Sequence, residues 1–125
     1  MRLLVDTHAY LWWLSDDPKL GPAAREAMAE PTAIVYVSAV SIWEISIKVS
    51  LGKLSVDGDP VKEIAANGFV ELPITAQHAY HAGTLPRHHD DPFDRMLIAQ
   101  AQLDGLVLLS RDAAFSAYPV SVIPV

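Results

Sequence analysis

The sequence contains no cysteine. That absence removes disulfide staples, thiolate metal sites and cysteine nucleophiles together, leaves oxygen and imidazole to carry any chemistry, and fits a reducing compartment. Long hydrophobic runs are missing as well. The longest, Ala9 to Leu14, falls far short of the roughly 18 residues that cross a bilayer, so the apolar surplus belongs to a core and no membrane partner is expected. Asp6 and His8 interrupt the apolar stretch that a secretory signal requires, which makes the cytoplasm the expected location. Positive charge is scarce: nine Lys and Arg stand against fifteen Asp and Glu, a net charge of −6. Tight nonspecific electrostatic binding to nucleic acid is disfavoured by that balance, whereas a local cationic site is not.

What is present suits one folded unit. A length of 125 residues with 51% hydrophobic content fits a single domain, 1–125, able to bury a sizeable core. Leu3-Leu4-Val5 reads as a buried strand ending at Asp6, followed by a helix through Tyr10 to Leu14. Ala23 to Glu30 is a run of good helix formers stopped by Pro31, and Ala33 to Val37 a second strand. Ser38 or Ser41 can cap the next helix, which Gly52 ends. A weaker helix over Val61 to Ala66, a strand over Phe69 to Leu72 and a helix to about Ala82 come next. Asp91 with Pro92 opens a helix through Gln102. Strands over Leu106 to Leu109 and Val120 to Ile123, separated by a helical turn from Asp112, complete the chain. Alternating helices and continuously apolar strands predict an α/β fold with a central parallel sheet of about four to five strands and helices on both faces. In such sheets ligands bind beyond the carboxyl ends of the strands.

Four acids fall at that rim: Asp6 after the first strand, Glu44 early in the helix after the second, Asp94 in the first turn of the helix before the Leu106 strand, and Asp112 just after that strand. Each has an ordinary explanation. Ser41-Ile42-Trp43-Glu44 matches a capping box, Glu44 can pair with Lys48, and Asp91, Asp94 and Asp112 all suit helix starts. Together, however, converging carboxylates repel and resist burial unless a cation neutralises them. An oxygen ligand set selects a hard divalent ion, Mg²⁺ or Mn²⁺, over zinc. The adjacent His88 and His89 read as a solvated loop, His78 and His81 as helix surface, and Trp12, Trp13 and Trp43 as core.

Taken in order, Leu3-Leu4-Val5-Asp6-Thr7-His8, Ser41-Ile42-Trp43-Glu44-Ile45, Asp91-Pro92-Phe93-Asp94-Arg95-Met96-Leu97-Ile98-Ala99-Gln100-Ala101 and Leu109-Ser110-Arg111-Asp112 resemble the motifs of PIN-domain ribonucleases, and more closely the VapC-type toxins of prokaryotic toxin–antitoxin pairs. The resemblance implies a single PIN-like domain and a Mg²⁺- or Mn²⁺-dependent endoribonuclease. Its acidic quartet would be Asp6, Glu44, Asp94 and Asp112, with Asp91 a doubtful fifth acid. It also implies an RNA substrate, a small antitoxin that covers the site, and a homodimer. Ser110, Arg95, Arg111 and Lys48 become candidate substrate contacts, with simple charge pairing as the alternative for the cations.

Three rival readings remain open on the residues alone. An aspartate-based phosphoryl-transfer enzyme would use Asp6 as nucleophile, but His8 stands where its second Asp is needed. A receiver-like signalling domain needs a Lys after a late strand, where Arg111 is found. A noncatalytic PIN-like module binding protein or RNA would keep the fold without the reaction.

Overall fold

A computed structural model describes all residues, 1–125. Five strands, β1 (Arg2–Val5), β2 (Ile34–Ser38), β3 (Val70–Leu72), β4 (Val107–Ser110) and β5 (Val122–Pro124), form one sheet. Every pairing is parallel and the order is β3-β2-β1-β4-β5. Helices α1 (Thr7–Leu14), α2 (Pro22–Ala29), α3 (Ala39–Ser50), α4 (Pro60–Ala66), α5 (Ala76–Thr84) and α6 (Pro92–Asp104) connect and cover it, with a 3₁₀ turn at Ala113–Ala117.

The strands read as continuous apolar runs because both faces of the sheet are covered. Leu3 and Val5 join Val35, Val37 and Leu109 in one core with Tyr10, Ala24 and Met28 of α1 and α2. Leu4 and Leu108 point the other way, into a second core with Leu97 and Ile98 of α6, Ala82 of α5, Phe115 and Tyr118. Both sides of β1 are closed, since Leu3, Leu4 and Val5 have no exposed surface.

The expected architecture is found, with differences at element ends. The last strand starts at Val122 rather than Val120, because the Val120 N–H turns back to the Tyr118 carbonyl at 2.8 Å and is lost to the ladder. For α3 the structure selects Ser38 as cap, its Oγ accepting from the Val40 N–H at 3.1 Å. Glu44 therefore sits two turns into the helix, too far in to form the capping box expected with Ser41.

The order of the strands positions the site. From β1 the chain adds β2 and then β3 on one side, and returns to place β4 and β5 on the other, so the direction of winding reverses at β1. Val5 lies opposite both Val37 and Leu109, which carries Asp6, Ser38 and Ser110 to the same rim. A reversal of this kind leaves a crevice where neighbouring connections leave the sheet in opposite directions.

Candidate active site

At that crevice a cavity of about 230 Å³ is lined by Asp6, Thr7, His8, Glu44, Lys48, His89, Asp91, Asp94 and Asp112, with no apolar side chain among them. Asp6 is held from two sides: its Oδ1 accepts the Ala9 N–H at 2.8 Å, capping α1, and its Oδ2 accepts the Ser110 hydroxyl at 2.6 Å. The same Ser110 oxygen accepts the Asp112 N–H at 3.0 Å. Ser110 thus ties the ends of β1 and β4 together. Being buried with its hydroxyl committed to Asp6, it orients a carboxylate instead of meeting an external phosphate, the role expected for it.

Glu44 is buried and equally fixed. Its Oε1 accepts the Thr7 hydroxyl at 2.6 Å, and its Oε2 is 2.7 Å from the Lys48 ammonium one turn on. The hydrogen bond from Lys48 to Glu44 raises the lysine pKa against the opposing effect of partial burial. Asp91 caps α6 as expected, its Oδ1 taking the N–H groups of Phe93 and Asp94 at 2.8 and 3.3 Å. Asp112 caps the following turn through Oδ1 and the Ala114 N–H, leaving Oδ2 directed at the cavity, 3.5 Å from His89 Nε2.

His89 is the site residue that sequence reasoning missed. It is not a solvated loop group: its Nε2 is 2.7 Å from Asp94 Oδ2 and its side chain is 19% exposed. Its ring packs edge-on to Phe115, and its nitrogen lies between two of the quartet's carboxylates, on the same oxygen-lined wall. Only its position two residues before the Asp91 cap hinted at this. Thr7 was missed too, although it directly follows Asp6.

Five acids share the cavity with one lysine, and their titration reflects that crowding. Burial raises the Asp6 pKa, opposed by its bonds from Ser110 and Ala9 and by His8, and reinforced by Glu44. Asp94 is pushed up to about 6, first by burial, with repulsion from Asp91 and Glu44 adding to it and the His89 contact opposing it. Carboxylates in that condition are stabilised by a bound cation. The donor set fits a hard divalent ion, with Asp6, Glu44, Asp94 and Asp112 facing one space and nothing apolar displacing it. An imidazole stands beside the oxygens: ligand atoms of His89, Asp94 and Asp112 all lie within 4.8 Å of one another.

The sequence profile of the PIN domain matches residues 3–120. The chain belongs to the PIN-domain family. Solved PIN structures share its fold at low identity. VapBC2 from Rickettsia felis, bound to a DNA fragment from its promoter, superposes with a TM-score of 0.74 at 12% identity, covering 100% of this chain and 99% of that one. DNA-bound VapBC from Salmonella typhimurium gives 0.70 at 18% identity, covering 99% and 98%. VapC20 from Mycobacterium tuberculosis, a Sarcin-Ricin loop cleaving toxin, gives 0.62 at 17%, covering 94% and 95%. No curated protein sequence matches the chain.

Of the cations expected to meet substrate, this PIN domain brings only Lys48 into the cavity. Arg95 is 6% exposed and points the other way, its guanidinium donating to the carbonyls of Ala82, Leu85, Pro86 and His89 at 2.8 to 3.1 Å. It is a structural cation, because all its reach is spent on backbone oxygens that would otherwise be buried unpaired. Arg111 lies outside the cavity over the ring of Trp12, 4.7 Å from its centroid, and bonds the Lys19 carbonyl. The tryptophans divide. Trp12 and Trp13 are both half-buried and pack against the same core, Trp13 beside Phe69 with its indole N–H donating to Asn67, whereas Trp43 is 58% exposed. His78 is buried, not on the surface, accepting from the Thr75 N–H through Nδ1 and facing Asp104 through Nε2. No helix is long and apolar enough to cross a membrane.

Proposed function

We propose that this PIN domain is a metal-dependent endoribonuclease acting as the VapC-type toxin of a toxin–antitoxin pair. The observation that carries the reading is the convergence of Asp6, Glu44, Asp94 and Asp112 on one cavity without apolar lining, at the point where the sheet reverses its winding. Asp6 and Asp94 would hold Mg²⁺ or Mn²⁺ directly, Glu44 would hold it or a water on it, and Asp112 would act directly or through water. Such an ion polarises a phosphodiester and lowers the pKa of bound water, so that no protein nucleophile is needed.

The chain's own residues prepare that reaction. Ser110 and the Ala9 amide fix both Asp6 oxygens, so the carboxylate need not reorganise. Thr7 and Lys48 do the same for Glu44, and the Lys48 ammonium at the cavity wall is placed to attract a phosphate. His89 bridges Asp94 and Asp112, drawing α6 and the turn after β4 together.

A small antitoxin and a second copy of the chain belong to the same proposal. Its support is that the structures with this fold include toxin–antitoxin complexes. The decisive test is incubation of purified protein with total RNA in Mn²⁺, Mg²⁺, Zn²⁺ or chelator, with the ends mapped. Discrete cleavage in Mn²⁺ or Mg²⁺, silent in chelator, is expected. RNA left intact under every condition favours the noncatalytic binding module.

A further inference from the structure

The cavity is continued by grooves beside α1. A groove of about 280 Å³ shares Thr7, His8 and Lys48 with it and adds Leu11, Lys53 and Leu54. His8, Leu11 and Leu54 continue into a further groove of about 330 Å³ that reaches Trp12. Along this path Lys53 is exposed and enters no ion pair, unlike Lys48 beside it. His8 is stacked on Trp12, ring centroids 5.6 Å apart and planes 25° from parallel, and Arg111 lies over the Trp12 ring.

We propose that this groove is the subsite for the single-stranded nucleotide next to the scissile phosphate, Lys53 with Lys48 holding its phosphate and the His8–Trp12 stack taking its base. The proposal rests on the ribonuclease reading above. Its physical basis is the pairing of cation and flat ring: a mobile ammonium recognises phosphate as a point charge, and any base can stack on an aromatic face without sequence readout. Asp17 and Asp57 line the outer end, where they repel further phosphates and limit the groove to about one nucleotide. A separate groove past Trp43, with no lining residue in common with the cavity, holds Arg87 together with Asp90, whose carboxylate is 3.9 Å from it, and lacks a free cation.

The test measures anisotropy of a labelled short single-stranded RNA with the noncleaving Asp94→Asn protein, in parallel with cleavage kinetics of the otherwise wild-type chain. Added to Asp94→Asn, Lys53→Glu and Trp12→Leu are each expected to weaken RNA binding about tenfold, while Arg87→Glu leaves it unchanged. Lys53→Glu should also reduce the log–log salt slope by about 1. In the cleaving protein Lys53→Glu should raise KM and leave kcat in place. Lys53 is exposed, so its variant carries the test even if Trp12→Leu fails to fold. Cleavage by wild type with Lys53→Glu unaltered in affinity and KM overturns the subsite and leaves the nuclease standing. An equal loss from Arg87→Glu also overturns it, since the attraction would then be diffuse. RNA left uncut by wild type but bound through Lys53 removes the hydrolytic reading and retains the groove.

Discussion

Asp94 and Arg95 are neighbours in the first turn of α6, and they face regions that treat charge in opposite ways. Arg95 turns into the α5–α6 loop, where four carbonyls within 3.1 Å absorb its donors. Asp94 turns into the acid cavity, where its carboxyl is pushed up to about 6 by burial and by Asp91 and Glu44. One charge is saturated by the fold; the other is left short of compensation. Saturation marks a residue that holds structure, and shortage marks one that awaits a ligand. The two regions are linked, because the His89 carbonyl is among those that Arg95 grips and the His89 ring is what Asp94 touches.

The contrast is most readily broken at the acids. Asp6→Asn keeps the α1 cap through its remaining oxygen but must reverse the bond with Ser110, and Asp94→Asn keeps a partner for His89; each removes a cation ligand, and single-turnover RNA cleavage should fall about a thousandfold or more. A smaller effect would mean that the acid in question serves the fold and not the reaction.

Next in size is Arg95. Arg95→Met strands the loop carbonyls and should lower stability by about 3 kcal/mol in urea unfolding, with Arg95→Lys recovering only part because it has fewer donors. Unaltered stability with weakened RNA affinity would return Arg95 to the substrate-binding role that the sequence suggested.

Asp94 should behave in the opposite sense. Its folded pKa of about 6 lies above its ordinary value of 3.8, so the native state holds the proton more tightly than the unfolded chain. The native state is then favoured below pH 4 and progressively penalised as pH rises through 6. In metal-free buffer at pH 7.5, Asp94→Asn should therefore stabilise the protein by about 1 to 2 kcal/mol, a figure reduced for partial exposure, and the gain should vanish near pH 4. Saturating Mn²⁺ should reverse the order of the two melting temperatures.

Cleavage should depend on pH with the same group. Activity in limiting Mn²⁺ is expected to rise through about pH 6 as Asp94 loses its proton, and excess metal should move that midpoint downward. The smallest effect belongs to the exposed Arg87–Asp90 pair at 3.9 Å, where Arg87→Ala should alter unfolding free energy by less than about 0.5 kcal/mol.

Much of this arrangement was legible in the residues. Leu3-Leu4-Val5 and Leu106 to Leu109 declare strands covered on both faces, and an acid that closely follows such a strand lands at its carboxyl end whatever the details of packing. Asp6 and Asp112 follow from that rule, whereas Glu44 and Asp94 reach the same cavity from helices, through where α3 and α6 start. His89 follows from neither, because it reaches Asp94 only when Arg95 has folded the preceding loop back on itself, a contact that no local pattern encodes. Trp43 fails for a related reason. Helical spacing groups residues on a common face but does not say which face the sheet takes, and α3 turns this one outward beside Phe93. Arg95 reads as surface because arginine usually is, and its burial depends on carbonyls that α5 and its loop leave without helical partners.

The bond from Ser110 to Asp6 joins residues 104 positions apart. During synthesis the first carboxylate leaves the ribosome long before the strand that completes its surroundings, and β1 must wait at the centre of the sheet with one edge bare. Nascent chains ending before Ser110 carry Asp6, Glu44 and Asp94 without the clamp that aligns the first of them. For a protein proposed to cut RNA, that delay leaves the acid cavity unassembled until nearly the whole chain has been made.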